Sequence, residues 1–225
     1  MSGPLDQNRA NYGIRMTVTD HSIGKLAEGI ESLCKETNCR SFQVEPAFAE
    51  GRASRDSTAL SDYKRFSSAF LQAHDIAAEH SRHLYYSGAR PWLITNRFCE
   101  SPYNSLVVTP EGKITSCFEV VNGGHPLSRL FFHGKVTDTA QISQNAEARH
   151  HLLDKIGNRR NQCRDCFCFW HCAGDCPAKV LTSVSATPPN HSTRCRLNRT
   201  ITRELIARYM AAGRGIWRGA RGNQI

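Results

Sequence analysis

A chain of 225 residues in which 40% of the side chains are hydrophobic and 22% are charged has the composition of a folded protein, which excludes disorder along its whole length. No run of about 18 apolar residues is present and the first residues are polar, so we expect a cytoplasmic protein with no membrane span and no secretory signal. The net charge of +9 suits nucleic acid, an acidic peptide or an anionic cofactor, and does not choose among them.

The first part of the chain alternates strand-like and helix-like segments. Residues 13–19, 41–45 and 83–87 predict three strands. Apolar residues at helical spacing predict a helix between each pair, the first with Asp20 as its N-cap and the second within residues 57–80. A β-α-β-α-β order predicts parallel strands covered by helices, and three strands are too few to close an eight-stranded barrel.

A second domain is predicted to begin near Pro91, where the predicted strands become short and Cys, Gly and Pro residues are frequent. Residues 105–117 predict a hairpin whose turn is Pro110–Lys113. Such a hairpin can carry Cys117 beside Cys99.

The remaining segments are predicted from their periodicity and composition. Helices are expected over residues 149–156 and 198–212, and the arginine- and glycine-rich residues 213–225 predict a flexible basic tail. The predicted domains are therefore 1–90, 91–212 and 213–225.

Ten cysteines are many for a chain expected in a reducing compartment, where disulfides are disfavoured, so metal binding is the leading explanation. Two groups of spacing stand out. In the first group, Cys99 is followed by twelve residues, Gly112, four residues and Cys117. The second group reads C-x2-C-x5-C-x3-C from Cys163 to Cys176 and is followed, after eighteen residues, by Cys195.

This pattern resembles the seven-cysteine signature of the SPASM domain, which follows the barrel of peptide-modifying radical SAM proteins. The segments Thr17–Thr19 and Val44–Ala53 are also similar to later strands and loops of a radical SAM barrel. The resemblance covers nearly the whole chain. It implies an α/β fold in which a partial radical SAM (β/α) barrel, residues 1–90, is followed by a small α+β SPASM iron-sulfur domain.

The resemblance also implies two 4Fe-4S clusters, each of which needs thiolates that converge from several directions. The fourth ligand of the second cluster is left open by the signature: Cys168, another residue or an open iron site all remain candidates. The implied ligands are Cys163, Cys166, Cys172 and Cys195 for the first cluster, and Cys99, Cys117 and Cys176 for the second.

One departure from the family concerns the cluster that cleaves SAM. Radical SAM enzymes hold it with C-x3-C-x2-C, no such triplet precedes residue 91, and Cys34 and Cys39 do not replace it. Whether the chain is an enzyme therefore stays open, since it is not expected to generate a radical alone. It is a truncated product, the second half of a split enzyme, or a partner that retains cluster and substrate binding.

These interpretations imply particular partners. In the family the auxiliary clusters bind a peptide or protein substrate or accept an electron from it. SAM is expected only if another chain supplies its cluster. The unpaired edge of three parallel strands also predicts association with a partner chain.

A zinc knuckle that binds single-stranded nucleic acid is the alternative. Its ligand order is present as Cys163-x2-Cys166-x4-His171-x4-Cys176, near several aromatic side chains. A zinc knuckle, however, does not use the four other signature cysteines, which are Cys99, Cys117, Cys172 and Cys195. Nucleic acid is therefore the less favoured partner.

Overall fold

The computed structural model describes residues 3–48, 59–182 and 192–213, which form two compact units. The first unit combines residues up to Ile94 with those from Ser192 onward, and the second extends from Thr95 to His191. Each unit has its own sheet, so the expected mixed α/β class is confirmed. No helix in the described ranges is long and apolar enough to span a membrane.

The described elements are numbered here in chain order, and a short 3-10 turn, Ile23–Lys25, leads into the second helix. The strands are β1 (Gly13–Val18), β2 (Ser41–Pro46), β3 (His83–Tyr85), β4 (Val107–Val108), β5 (Lys113–Thr115), β6 (Phe132–Val136) and β7 (Ile142–Gln144). The helices are α1 (Pro4–Gln7), α2 (Leu26–Glu36), α3 (Tyr63–Glu79), α4 (Ser101–Asn104), α5 (Ser128–Phe131), α6 (Ala146–Asn161), α7 (Phe169–Cys172), α8 (Pro177–Thr182) and α9 (Thr193–Ala211).

The sheet of the first unit confirms the predicted β-α-β-α-β order. Its strands run parallel in the order β1-β2-β3, with Ile14 beside Phe42 and Phe42 beside Leu84. Because side chains alternate along a strand, these apolar residues share one face, which packs in the same core as α2 and α3. The described strands do not close a barrel, since β1 and β3 each have one strand neighbour.

The N-termini of helices α2 and α3 are capped in different ways. Helix α3 lies within the predicted range 57–80 and begins after Asp62, whose carboxylate accepts the Lys64 N–H at 2.8 Å. Residues 57 and 58 of that range lie outside the described residues. The prediction that Asp20 caps the first helix is wrong: its carboxylate accepts the Ser61 N–H instead, and α2 follows directly from the 3-10 turn.

Helix α9 belongs to the first unit, although the sequence suggested that its residues extend the second domain. It begins at Ser192, whose hydroxyl accepts the Cys195 N–H at 3.2 Å. It packs on α3, and Tyr86, which follows β3, donates a buried hydrogen bond of 2.8 Å to Asn198 Oδ1 in α9. Three side chains at helical spacing enter the hydrophobic core of the first unit, which we call the first core: Leu197, Ile201 and Leu205.

The second unit contains a four-stranded antiparallel sheet in the order β4-β5-β6-β7. The predicted hairpin is confirmed as β4 and β5, and Gly112 allows its turn because its φ is 71°. Strands β6 and β7 were not predicted, and α6 is longer than the expected 149–156. The apolar side chains of this unit form what we call the second core: Val120, Leu127, Phe131, Leu152, Ile156 and Ala178.

The buried hydrogen bond to α9 gives a test of how that helix is held. We expect Tyr86→Phe to lower the free energy of unfolding by about 1–2 kcal/mol, because a buried hydrogen bond is removed while the ring stays. Urea unfolding followed by circular dichroism measures the loss. Tyr85→Phe is the control, since its half-buried hydroxyl makes a longer bond of 3.3 Å to Gln43, and equal losses in the two variants would contradict the assignment.

Candidate metal centre

All ten cysteines lie in the described ranges and are present as thiols rather than disulfides. Six of the seven predicted ligands are in the second unit, whereas Cys195 is in the first turn of α9 in the first unit. Cys34 and Cys39, which the sequence did not assign to a metal, are buried in the core of the first unit.

The three cysteines predicted for the second cluster surround one apolar region. Cys117 and Cys176 both pack against the second core. Cys99 lines a shallow, open cleft, and Ile156 and Leu181 form part of the same cleft wall. Because Ile156 belongs to the second core, against which Leu181 also packs, the structure brings these cysteines to neighbouring sides of one small hydrophobic cluster.

The surroundings of Cys117 act on its thiol in opposite directions. Burial has the largest effect and raises the pKa of the thiol, whereas the backbone N–H groups of Glu119 and Val120 and the Ser101 hydroxyl act to lower the pKa. The Ser101 hydroxyl donates to the Ser116 carbonyl, which fixes the end of the hairpin. Nearby N–H groups stabilise a negatively charged sulfur, so they would offset part of the cost of burying a thiolate ligand.

The dense cysteine segment folds as a succession of tight turns. The Cys166 N–H donates to the Cys163 carbonyl at 3.0 Å, and the Phe169 N–H donates to the Cys166 carbonyl at 2.9 Å. The Cys172 N–H then donates to the Cys168 carbonyl at 2.9 Å, which completes one helical turn. These turns gather four cysteines into a segment of ten residues without a long helix or strand.

Cys168 and Cys172 form a buried pair of thiols. Their exposed fractions are 1% and 8%, and residues four apart in a helical turn share one face. The Cys172 thiol lies within hydrogen-bonding reach of Cys168, and this contact together with burial raises the pKa of Cys172 far above its usual range. The Gly174 N–H is directed at the Cys172 sulfur and acts to lower the pKa of this thiol.

A left-handed loop joins Cys172 to Cys176. Ala173, Gly174 and Asp175 have φ angles of 48°, 80° and 72°. The Asp175 N–H donates to the Cys172 carbonyl at 2.8 Å, and its buried carboxylate accepts the Cys176 N–H at 2.7 Å. The left-handed backbone costs free energy at Ala173 and Asp175, which flank the permissive Gly174, and such strain clusters at functional sites.

The thiols do not converge into a preformed ion site. Within the part of the chain that the structure describes, no three side chains of His, Cys, Asp or Glu are close enough to hold one metal ion. This includes the ligands of the predicted zinc knuckle, Cys163, Cys166, His171 and Cys176. The donor set itself fits an iron-sulfur group, since it is rich in thiols.

A buried polar pair next to Cys117 was missed by sequence reasoning. Ser116 Oγ lies 2.8 Å from His133 Nε2, and both side chains are buried. Burial lowers the pKa of His133, and its Nδ1 atom has no hydrogen-bond partner among the described residues. The two residues are seventeen positions apart, so neither spacing nor composition could have indicated their contact.

Comparison with known proteins gives no relative for this chain: no protein-family profile matches it, and no curated protein matches it. The cysteines and their surroundings are therefore the basis for assigning a function.

The buried thiol pair predicts unequal reactivity in the metal-free folded protein. We expect iodoacetamide at pH 8 to modify Cys168 and Cys172 more slowly than the half-buried Cys163 and Cys166, because burial restricts access and the raised pKa of Cys172 lowers its thiolate fraction. Mass spectrometry of timed samples measures the order. The difference should vanish in denaturant, and equal rates in the folded protein would contradict the structure.

The left-handed loop predicts a stabilising substitution. We expect Ala173→Gly to raise the free energy of unfolding by about 0.5–1 kcal/mol, because glycine adopts a positive φ without steric cost. The matched control is Ala207→Gly on the exposed side of α9, which should lower the same quantity by about 0.5–1 kcal/mol. Urea unfolding measures both, and destabilisation by Ala173→Gly would argue against the left-handed backbone.

Proposed function

We propose that this chain is a SPASM-type protein that carries two 4Fe-4S clusters and is related to radical SAM enzymes that modify peptides. The seven-cysteine spacing carries the proposal. The placement of Cys117 and Cys176 against the second core, with Cys99 on the adjoining cleft, supports it.

The first unit supports the partial barrel of the proposal. Its parallel strands have helices on one face, as in a (β/α) barrel, and a polar network on the other face, which would be the interior of a barrel. In this network Gln43 donates to Glu45 at 2.9 Å, and the Ser87 N–H donates to Glu45 at 3.0 Å. The outer edge of β1 suits pairing with a strand of a partner chain that supplies the SAM cluster.

The chain's own residues would perform three tasks in such a protein. A bound 4Fe-4S cluster supplies reversible one-electron transfer, and the backbone N–H groups near Cys117 would offset part of the cost of burying its charged sulfur. Burial by the second core would exclude water from that ligand. Arg159 and Arg160 line the cleft beside Cys99 together with Asp175 and with Arg97, which is paired with Glu100. The remaining positive charge would favour a substrate that carries negative charge, such as an acidic peptide.

One observation favours the nucleic-acid alternative. Phe167 and Trp170 are 46% and 51% exposed, and exposed aromatic rings stack on unpaired bases. The same rings also suit the apolar side chains of a peptide. Because Cys176 packs with Cys117 against the second core, its position accords better with the SPASM assignment than with a knuckle.

Metal analysis distinguishes the two functions. Protein purified and reconstituted without oxygen should contain about eight irons and about eight acid-labile sulfides per chain, with a broad absorption that bleaches on reduction. About one zinc and no sulfide would overturn the proposal. In that case His171→Ala should weaken binding to a single-stranded oligonucleotide, whereas SPASM ligation does not use this histidine.

A further inference from the structure

We propose that the polar face of the first sheet binds a primary ammonium group, and that the carboxylate of Glu45 is its acceptor. A lysine side chain and the N-terminal amine of a peptide both supply such a group. All residues of this site lie in the first unit. Binding here requires no cluster, so it goes beyond the proposed function.

Glu45 lies on the side of the sheet that faces away from the first core. Because side chains alternate along a strand, Phe42 and Val44 enter the first core, whereas Gln43 and Glu45 belong to the opposite face. The register partner of Glu45 on β1 is Thr17, which is exposed. Glu45 itself is only 7% exposed. A carboxylate buried to this extent needs hydrogen-bond donors or an opposite charge.

The hydrogen bonds to Glu45 are directed at one of its two oxygens. Oε1 accepts the Gln43 side-chain amide at 2.9 Å and the Ser87 N–H at 3.0 Å. Gln43 is oriented in turn by Tyr85, whose hydroxyl donates to Gln43 Oε1 at 3.3 Å. The second oxygen of Glu45, Oε2, has no donor among the described residues and stays accessible to solvent. The network therefore fixes the carboxylate and presents one oxygen to a ligand.

The charge of Glu45 is not neutralised by an ion pair with any residue that the structure describes. The nearest positive charge on this face is that of Arg15, which is exposed and lies opposite Gln43 on β1. Burial and then the charge of Glu45 raise the pKa of the Tyr85 phenol, whereas Arg15 lowers this pKa, so both charges lie near this hydroxyl. A buried carboxylate with a vacant acceptor and no counter-ion favours a cationic ligand.

The hydrogen bonding of Glu45 selects between the two common organic cations. A guanidinium group binds a carboxylate best through two parallel bonds, one to each oxygen. Oε1 already accepts two bonds, so this arrangement is hindered. An ammonium group is a compact point charge that needs only Oε2, and the exposed Thr17 hydroxyl beside Glu45 can accept another of its N–H groups.

The neighbouring aromatic side chains suit the apolar part of such a ligand. Tyr85 stacks on His83 with 5.3 Å between the ring centroids, and Trp92 meets His83 edge-on at 4.7 Å. Aromatic rings attract cations through their faces and pack well against the methylene groups of a lysine side chain. The first sheet thus offers an anionic acceptor and an apolar surface on one unit.

Titration of the isotope-labelled full chain with blocked amino acids, followed by nuclear magnetic resonance, tests the inference. The probes are acetyl-lysine methylamide for a side-chain ammonium, leucine methylamide for an N-terminal ammonium, and acetyl-norleucine methylamide as the neutral control. An ammonium probe should shift the amide resonance of Ser87, whose N–H donates to Glu45, and the probe that does so identifies the source of the ammonium. Acetyl-arginine methylamide should bind more weakly than that probe. No shift with either ammonium probe, or equal binding of the neutral or the arginine probe, overturns the inference.

Charge variants show whether Glu45 is the acceptor. Glu45→Gln keeps the size of the side chain and should weaken binding of the ammonium probe about tenfold, because a charge-assisted hydrogen bond is lost. The matched control is Glu31→Gln on α2, where Glu31 pairs with Lys35, and it should leave the affinity unchanged. Arg15→Gln should strengthen binding, since it removes a like charge from the same face. Native affinity in Glu45→Gln, or weaker binding in Arg15→Gln, contradicts the inference.

If Glu45→Gln proves unfolded, a tethered cation provides the test. Thr17 is exposed, so Thr17→Lys leaves the carboxylate in place and adds an ammonium group beside Glu45. This variant should no longer bind the ammonium probe, whereas the neutral Thr17→Gln should bind it like the native chain. Retained binding in Thr17→Lys overturns the inference. Far-ultraviolet circular dichroism shows whether each variant is folded, and the iron and sulfide content, which tests the proposed function, does not enter this result.

Discussion

The stability of the second unit is limited by the small apolar core that it buries. Among the described residues its core contains six buried apolar side chains, compared with nineteen in the core of the first unit. A core of six side chains offsets only part of the entropy lost when some ninety residues become ordered. Small domains of this kind are usually stabilised by disulfides or bound metal, and the cysteines here are thiols. Under the proposed function the clusters are therefore structural cross-links as well as redox groups.

The second unit is an insertion into the first. The chain leaves the first unit at Ile94 and returns at Ser192, where α9 completes the first core. Docking of α9 requires closure of a loop of nearly one hundred residues, whose entropic cost grows slowly with length but falls when the inserted segment is compact. Metal cross-links that compact residues 95–182 would thereby also favour the docking of α9. Under the proposed function, cluster assembly and the folding of the first unit would be linked through chain connectivity.

The sequence predicted features that depend on local pattern. Strands β1 to β3 follow from β-branched and aromatic runs, and the β4–β5 hairpin follows from its Pro-Glu-Gly turn. Features that depend on distant partners were not predictable. Asp20 binds a backbone N–H forty-one residues away. Helical periodicity in α9 predicts an apolar face but not the core in which that face is buried. The left-handed backbone at Ala173 is also absent from the sequence pattern, since alanine rarely adopts it.

The same distinction applies to the cysteines. A signature counts the residues between ligands, whereas a metal selects sulfurs by the direction in which they point. Cys168 has no place in the seven-cysteine spacing, yet the helical turn that it begins directs its sulfur to the same side as that of Cys172. Cys195 satisfies the spacing and lies in the first turn of α9, a helix whose apolar face enters the core of the first unit. Under the proposed function, spacing indicates that clusters are bound, whereas the direction of each sulfur, which spacing does not give, decides which thiols are ligands.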